Sequence, residues 1–196
     1  MTEQLPLFPL QTVLFPGGRL PLKIFETRYI DLVSRCLRET APFGVCLIRR
    51  GTEAGMTAEF FPMGTSARIV DWDQRADGLL GITVQGERRF RVLAGSADSN
   101  RQIWGEVEWC EEPPNATSLA DQELAPLREF LERASGTLEL PYETRESELR
   151  DPNWLSFRLA ELLPDLGLRQ ALLQMDSGQE RLAQLRTLLV ATRTAA

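Results

Sequence analysis

Apolar and polar residues alternate over short distances in the first half of the chain, and this pattern predicts strands. The predicted strands are FGVCLIRR, GTSARIVDW, LLGITVQG, RRFRVLAG and QIWGEVEWCEE, with DQRADG and SADSNR as turns. One helix interrupts them, from Thr27 to about Arg38, because its apolar residues recur with a helical period. That apolar stripe consists of Tyr29, Val33, Cys36 and Leu37. Many short strands with one covering helix indicate a small closed or half-closed barrel.

The opening segment places prolines among strand-forming residues. Pro16 and Gly17 supply a fixed φ followed by a positive φ, which is typical of a tight turn, and they predict a hairpin between QTVLF and RLPLKIF. Pro6, Pro9 and Pro21 are expected at strand starts, bulges or exposed edges, because proline cannot donate to a sheet ladder.

Two charged residues flank the start of the predicted helix. Glu26 is placed to accept hydrogen bonds from the N–H groups of the first turn, and Arg28 to pair with a carboxylate of the sheet. A catalytic carboxylate at Glu26 is the alternative interpretation. We favour structural anchoring for both residues.

The pattern changes to a helical period at EEPPNATS, and we place the domain boundary there. Residues 1–112 form the predicted barrel domain and residues 113–196 a helical subdomain. The candidate N-caps of three helices are Ser118 with Asp121, Asn153, and Ser177 with Glu180. The predicted fold class is therefore α+β, a β barrel with a covering helix followed by a small helical bundle.

The amino-acid composition excludes most of the common catalytic mechanisms. The chain has no histidine and one lysine, Lys23, against twenty-one arginines, so triads that need histidine are excluded and a Ser-Lys dyad would have to use the opening segment. No phosphate loop surrounds that lysine, which excludes ATP hydrolysis of the P-loop type. Acidic pairs such as Asp71 with Asp73 are ordinary on an acidic surface. We expect no catalytic residue, no cofactor and no metal.

Cysteine usage and net charge limit the compartment and the partners. Cys36, Cys46 and Cys110 are odd in number and widely spaced, which favours buried reduced thiols over disulfides or a zinc site. The net charge of −6 argues against general binding to nucleic-acid phosphates. No segment has the length of a membrane span and no secretion signal is present at the N-terminus, so we expect a cytoplasmic protein without a membrane partner.

RNA binding is the alternative function. The segment GERRFRV holds Arg88, Arg89 and Arg91 beside Phe90, which is similar to an aromatic and basic RNA platform. One alternating strand explains the pattern more simply, with Phe90 and Val92 inward and Arg89 and Arg91 outward.

Several of these stretches, in this order and spacing, resemble the N-terminal substrate-binding domain of Lon proteases. They are LPLFPLQTVLFPGGRLPLKIFETRYIDLV, FGVCLIRRGTEAG, GTSARI, GERRFRV and, for the trailing helices, PDLGLRQALLQMDSGQERLAQL. The most specific features are the turn with Pro16 and Gly17 and the helix entry with Glu26, Arg28 and Tyr29. We interpret these five as structural motif residues of the family.

The resemblance implies a PUA-like pseudo-barrel followed by helices, and a domain that recognises unfolded or tagged polypeptide. The ATPase and Ser-Lys protease modules of Lon are missing from the sequence, so we expect a stand-alone, non-enzymatic binding module or protein-protein adaptor. The sequence departs from the family at Lys23, where many relatives have histidine, and at Thr27, where proline is common. It does not predict the oligomeric state.

The segment SGTLELPYETRESELRDP is long for a connection inside a compact helical half. Its apolar residues Leu138, Leu140 and Tyr142 have two interpretations. They seal the segment against the barrel, or they line an apolar groove that binds an extended polypeptide, with Tyr142 supplying a flat face and a hydroxyl.

The double change Leu140→Ser with Tyr142→Ala separates these interpretations. A seal predicts a loss of roughly 2 kcal/mol or more in stability, because buried side chains are removed. A groove predicts nearly unchanged stability and weaker binding of a fluorescent unfolded peptide. Thermal denaturation and fluorescence anisotropy measure the two quantities, and no change in either would eliminate both interpretations.

Overall fold

The computed structural model describes residues 2–51, 59–111, 121–137 and 146–194. Within these residues the chain forms six strands and six helices, so the predicted α+β class is confirmed. It divides into two compact units, Met1–Glu111 and Glu112–Ala196.

The first unit contains all the described strands and one helix. Its elements are β1 (Thr2–Leu10), β2 (Arg19–Ile24), α1 (Thr27–Glu39), β3 (Phe43–Arg50), β4 (Glu59–Gln74), β5 (Leu80–Ala97) and β6 (Ile103–Trp109). The strand order is β2-β5-β4-β3-β1-β6, and β5 also pairs with β6. Five strands therefore close into a barrel, and β2 extends the sheet beside the first half of β5. The predicted pseudo-barrel with a covering helix is confirmed.

The hairpin predicted around Pro16 and Gly17 is wrong, although a turn is present there. Gly17 has a φ of 76°, and the N–H of Gly18 donates to the carbonyl of Phe15 at 3.0 Å. However, β1 pairs with β3 and β6 while β2 pairs with β5, so the turn joins two strands that do not pair. Residues 13–15 are a buried connection rather than a strand. The turn therefore carries the chain from β1 to an edge strand that lies beside β5.

Each proline of β1 lies where this strand has a neighbour on one side only. Strand β6 pairs with residues 2–7 and β3 with residues 7–10, so Pro6 lies in the first half and Pro9 in the second. A missing N–H that faces the open side removes no ladder hydrogen bond. Pro21 lies on β2, the edge strand, as predicted.

Strand β5 is a single strand of 18 residues where the sequence predicted two. Gly86 pairs with β4 next to a shift of register, and a Cβ at this position would collide with the backbone carbonyl of Phe15. The glycine is therefore a bulge against which the connection packs, and not the end of a strand. The same shift interrupts the alternation, because Arg89 and Phe90 are both buried. The outward orientation predicted for Arg89 is wrong.

Two apolar clusters fill the first unit. The cluster between α1 and the sheet contains Phe8, Leu32, Phe43, Val45, Ile82 and Val84, among others. The cluster inside the barrel contains Leu5, Leu7, Cys46, Phe90 and Val107. In the first cluster, Tyr29 stacks on Phe8 with ring centroids 3.8 Å apart. The predicted stripe of α1 is confirmed at Tyr29, Val33 and Cys36, but Leu37 is 41% exposed.

The second unit contains five helices among its described residues. They are α2 (Asp121–Thr137), α3 (Glu146–Leu149), α4 (Pro152–Glu161), α5 (Leu166–Gln174) and α6 (Gly178–Thr194). The predicted N-cap Asn153 is wrong, because Asp151 caps α4 by accepting from the N–H of Asn153 at 2.9 Å, with Pro152 in the first helical position. The hydroxyl of Ser177 accepts from the N–H of Glu180 at 3.4 Å, as predicted for α6. Ser118 lies outside the described residues.

A buried arginine connects three parts of the second unit. Arg181 of α6 donates to the hydroxyl of Ser156 at 2.9 Å and to the side-chain oxygen of Asn153 at 2.7 Å, both on α4. It also donates to the carbonyl of Met175, after α5, at 2.6 Å. Its guanidinium lies 4.0 Å from the ring centroid of Phe157. Because a buried charge needs polar partners, these contacts hold α4, α5 and α6 together.

Gly64 provides a test of the packing inside the barrel. A Cβ at Gly64 would collide with the carbonyl of Val45 and come within 2.7 Å of Phe90, whereas at Gly95 the nearest atom would be 3.5 Å away. We expect Gly64→Ala to lower the free energy of unfolding by about 1 to 3 kcal/mol through overpacking. The matched control Gly95→Ala should change it by less than about 0.5 kcal/mol. Urea denaturation measures both, and equal effects would contradict the packing described.

Candidate functional site

Helix α1 exposes two different flanks on either side of its buried stripe. With about 3.6 residues per turn, Ile30 and Leu37 lie on one flank, and Arg28 and Arg35 lie on the other. The guanidinium of Arg35 lies 4.4 Å from the ring centroid of Trp104 on β6, so the arginine flank faces β6. The apolar flank is on the other side of the buried stripe and is turned away from β6.

The end of α1 is attached to β4. Arg68 of β4 donates to the carbonyl of Thr40, directly after the helix, at 2.9 Å. The same guanidinium pairs with Glu87 of β5 at 2.6 Å. These bonds fix the C-terminal end of the helix beside the middle of β4.

Trp72 is the most exposed large apolar side chain among the described residues, with 61% of its surface accessible. It lies opposite Ile82 in the ladder, and Ile82 lies opposite Leu22. Residues opposite each other in an antiparallel pair share a face, so Trp72 stands on the α1 side of the sheet. Unlike Ile82, which is buried, Trp72 stays in solvent.

The position of Trp72 follows from the length of β4. The described pairing with β3 stops at Ala67, so the last residues of β4 pair with β5 alone. Phe25 follows the last residue of β2, at the same end of the sheet, and is 57% exposed. Ile30 and Leu37, on the apolar flank of α1, are each 41% exposed. We call Phe25, Ile30, Leu37 and Trp72 the apolar surface.

A polar cleft lies on the other flank of α1. It has a volume of about 310 Å³ and is lined by α1 and by the turn between β5 and β6. The charged residues that line it are Arg28, Asp31, Arg35, Arg38 and Asp98. Gln102 also lines it and is almost completely buried.

Asp98 organises the turn that forms one wall of the polar cleft. One carboxylate oxygen accepts from the N–H groups of Asn100 and Gln102, at 2.9 and 3.0 Å, and the other from the indole N–H of Trp104 at 3.1 Å. Desolvation acts to raise the pKa of the Asp98 carboxyl, but these hydrogen bonds and the charge of Arg35 outweigh it, and the pKa lies below its ordinary value. Asp98 is therefore a fixed anion that holds Trp104 under Arg35.

The family of this domain is identified by a match that covers almost the whole sequence. Residues 4–191 match the family model of the ATP-dependent protease La (LON) substrate-binding domain. The chain belongs to this family. The family predicted from the sequence motifs is thus confirmed.

Solved and curated relatives agree with this Lon-domain assignment. The crystal structure of a Lon N-terminal domain protein from Xanthomonas campestris has a TM-score of 0.75 at 40% identity and covers 94% of this chain and 98% of that one. The N-terminal domain of the Mycobacterium avium complex Lon protease shares the fold, with a TM-score of 0.68 at 20% identity over 93% of this chain and 96% of that one. Lon protease 2 of Myxococcus xanthus is 38% identical over 93 residues, 46% of this chain. That match spans only 11% of the Myxococcus protein.

The Lon motif residues at the start of α1 have structural partners. Glu26 makes no capping hydrogen bond through its side chain, so the predicted cap is wrong. Its carboxylate instead pairs with Arg28 at 2.9 Å, and Arg28 also donates to the carbonyl of Arg101 at 3.3 Å. The guanidinium of Arg28 lies 4.5 Å from the ring centroid of Tyr29, which is buried against the sheet. These contacts attach the beginning of the helix to the turn between β5 and β6.

Other predicted site residues lie outside the part of the Lon domain that the structure describes. Leu138, Leu140 and Tyr142 belong to this group, and the groove assigned to them stays a prediction. The sequence analysis did not single out Trp72, Arg35 or Gln102. A tryptophan between two aspartates beside a turn was the available signal for Trp72. No local signal marks Arg35, because its role depends on a contact with β6.

Two of the three thiols of the Lon domain, those of Cys36 and Cys46, are not activated nucleophiles. Burial raises the pKa of the Cys36 thiol to about 11, against the opposing charge of Arg35, and burial also raises the pKa of Cys46. Cysteine catalysis needs the opposite shift, because the thiolate is the nucleophile. Cys36 and Cys46 are buried as predicted, whereas Cys110 is half-buried. The described residues contain no cluster of three or more side chains that could hold a metal, and no described helix meets the length and hydropathy of a membrane span.

These thiols should differ in their reactivity toward an alkylating agent. At pH 8 the raised pKa of Cys36 leaves its thiolate fraction about a hundredfold below that of an ordinary cysteine. We expect Cys110 to react first in the native protein, and Cys36 and Cys46 only on unfolding. Mass spectrometry of the alkylated peptides identifies the sites. Early modification of Cys36 at pH 8 would contradict the burial described.

Proposed function

We propose that this Lon-family domain is a non-enzymatic recognition module that binds exposed apolar segments of unfolded polypeptide. The observation that carries the proposal is the exposed Trp72 within the apolar surface. A tryptophan side chain has one of the largest apolar areas of any residue, and covering the exposed part of Trp72 would contribute about 2 to 4 kcal/mol. A site of this kind selects apolar segments by area and not by a single sequence.

The backbone beside Trp72 supports the same function. No described strand pairs with residues 68–74 of β4 on the side away from β5. An extended segment can therefore add main-chain hydrogen bonds at this edge while its side chains contact the indole ring. The edge of β2, by contrast, carries Pro21 and Lys23, which discourage pairing with another strand.

The absence of catalysis is part of the proposal. The chain has no histidine, and the thiols of Cys36 and Cys46 are held in their protonated form. The Lon relatives are several times longer than the region that they share with this chain. We therefore expect any ATP hydrolysis or proteolysis to come from outside residues 1–196, and this module to act as a protein-protein adaptor in the cytoplasm.

RNA binding has weaker support than polypeptide binding. The predicted platform residue Arg89 is buried, and Arg88 stacks on Trp109 at 4.7 Å from its ring centroid. The net charge of −6 opposes a phosphate backbone. We do not propose a nucleic-acid function.

The proposal is tested with the variant Trp72→Ser and a reduced, carboxymethylated protein labelled with fluorescein. We expect the Kd for this unfolded protein to rise by about tenfold or more, because apolar area is lost from the surface. Leu93→Ser is the matched control, since Leu93 is 51% exposed on β5 and lies outside the apolar surface. Fluorescence anisotropy measures both. Equal affinities of the two variants and the unaltered chain would refute the proposal.

A further inference from the structure

Arg35 lacks a hydrogen-bond acceptor within the described part of the chain. Its guanidinium lies over Trp104, and its Nη2 atom is buried without a partner. Asp98 contributes charge to this neighbourhood, but both of its oxygens accept from other donors. A guanidinium carries donors arranged as a planar fork, so this one is prepared for an acceptor that comes from outside the domain.

Gln102, in the same polar cleft, has a side-chain oxygen that lacks a hydrogen-bond donor. It is 6% exposed, and its side-chain Nε2 donates to the carbonyls of Leu7 and Ile103, at 2.8 Å each. A flip of the amide would place Oε1 against these two carbonyls, so the orientation is determined. Oε1 is buried without a donor. The cleft thus has an unpaired oxygen near an unpaired guanidinium.

We propose that the polar cleft binds a carboxylate group of a polypeptide, with Arg35 donating to the carboxylate and Oε1 of Gln102 accepting from a neighbouring main-chain N–H. The inference rests on the proposed function and names a second determinant of the bound segment. A residue at the C-terminus of a chain carries a carboxylate and an N–H on the same Cα, and an aspartate or glutamate side chain offers a carboxylate within a chain. Both sources provide the required chemistry.

The charge of the cleft fits a carboxylate better than a doubly charged phosphate. Three arginines and two aspartates line it, and Arg28 is already paired with Glu26. The lining therefore carries little surplus positive charge, and a doubly charged phosphate would remain uncompensated there. Arginine forks also match the two oxygens of a carboxylate in geometry. A volume of about 310 Å³ accommodates the end of a peptide rather than a folded surface.

Binding requires a movement that the surroundings permit. Nη2 of Arg35 and Oε1 of Gln102 are both covered in the structure, so the half-buried Arg35 side chain has to turn. Trp104 is held by Asp98 and remains in place as a flat support. The cleft and the apolar surface lie on opposite flanks of α1, so each can be altered without changing the other.

The test uses three N-acetylated tripeptides without large apolar side chains. The first, Gly-Ser-Ala, has a free carboxyl end, the second is its C-terminal amide, and the third is the amide with aspartate in place of serine. Titrations followed by ¹H–¹⁵N NMR on the full chain give the Kd from the backbone signals of Arg35 and residues 98–102. We expect a carboxylate peptide to bind about tenfold more tightly than the uncharged amide. Preference for the first peptide identifies a chain terminus as the source, and preference for the third identifies a side chain.

The variant Arg35→Gln should abolish this preference. Arg88→Gln is the matched control, because Arg88 also stacks on a tryptophan but lies outside the cleft, and it should leave the preference unchanged. Arg35→Lys keeps the charge without the fork and should retain part of the preference. Equal affinities for all three peptides, or an unaltered preference in Arg35→Gln, would overturn the inference. If the three peptides bind with equal affinity while Trp72→Ser still weakens binding of the unfolded protein, the proposed carboxylate site is refuted and the proposed function is retained.

Discussion

The pairing of β5 with β6 is the contact on which the rest of the first unit depends. It closes the barrel around Phe90, and it leaves the first half of β5 free to pair with β2. The same pairing brings the turn between β5 and β6 beside α1, where Asp98 and Gln102 form one wall of the polar cleft. One long strand with a bulge at Gly86 thus determines both the core and the position of the candidate sites.

Helix α1 gives the domain two chemically distinct surfaces from one short segment. Because its buried stripe packs on the sheet, the two flanks of the helix face opposite sides. One flank carries aliphatic side chains, and the other carries guanidinium groups toward β6. In the proposed function, a polypeptide ligand would contact apolar side chains on one flank and charged side chains on the other.

Local patterns in the sequence predicted what depends on local physics. The extent of α1 and most of its buried stripe followed from periodicity, whereas the family resemblance was carried by the quoted motifs and their order. The predicted hairpin was wrong because strand pairing is a long-range property, and nothing near Pro16 shows that β1 pairs with β3 and β6 while β2 pairs with β5. The outward orientation predicted for Arg89 was wrong because a bulge in the pairing of β5 with β4 changes the alternation of inward and outward side chains. Arg35 and Gln102 could not be found, since their missing partners become visible only when β6 and α1 are placed together.

The buried Arg181 has a consequence for how the second unit comes apart. Its guanidinium, carried by α6, is solvated within the protein by groups on α4 and directly after α5. A partial opening that separates α6 from α4 would remove these acceptors before bulk water could replace them all, and such intermediates are disfavoured. We therefore expect α4, α5 and α6 to open together. For the proposed binding of unfolded polypeptide, this coupling would keep the second unit from exposing loosened segments of its own.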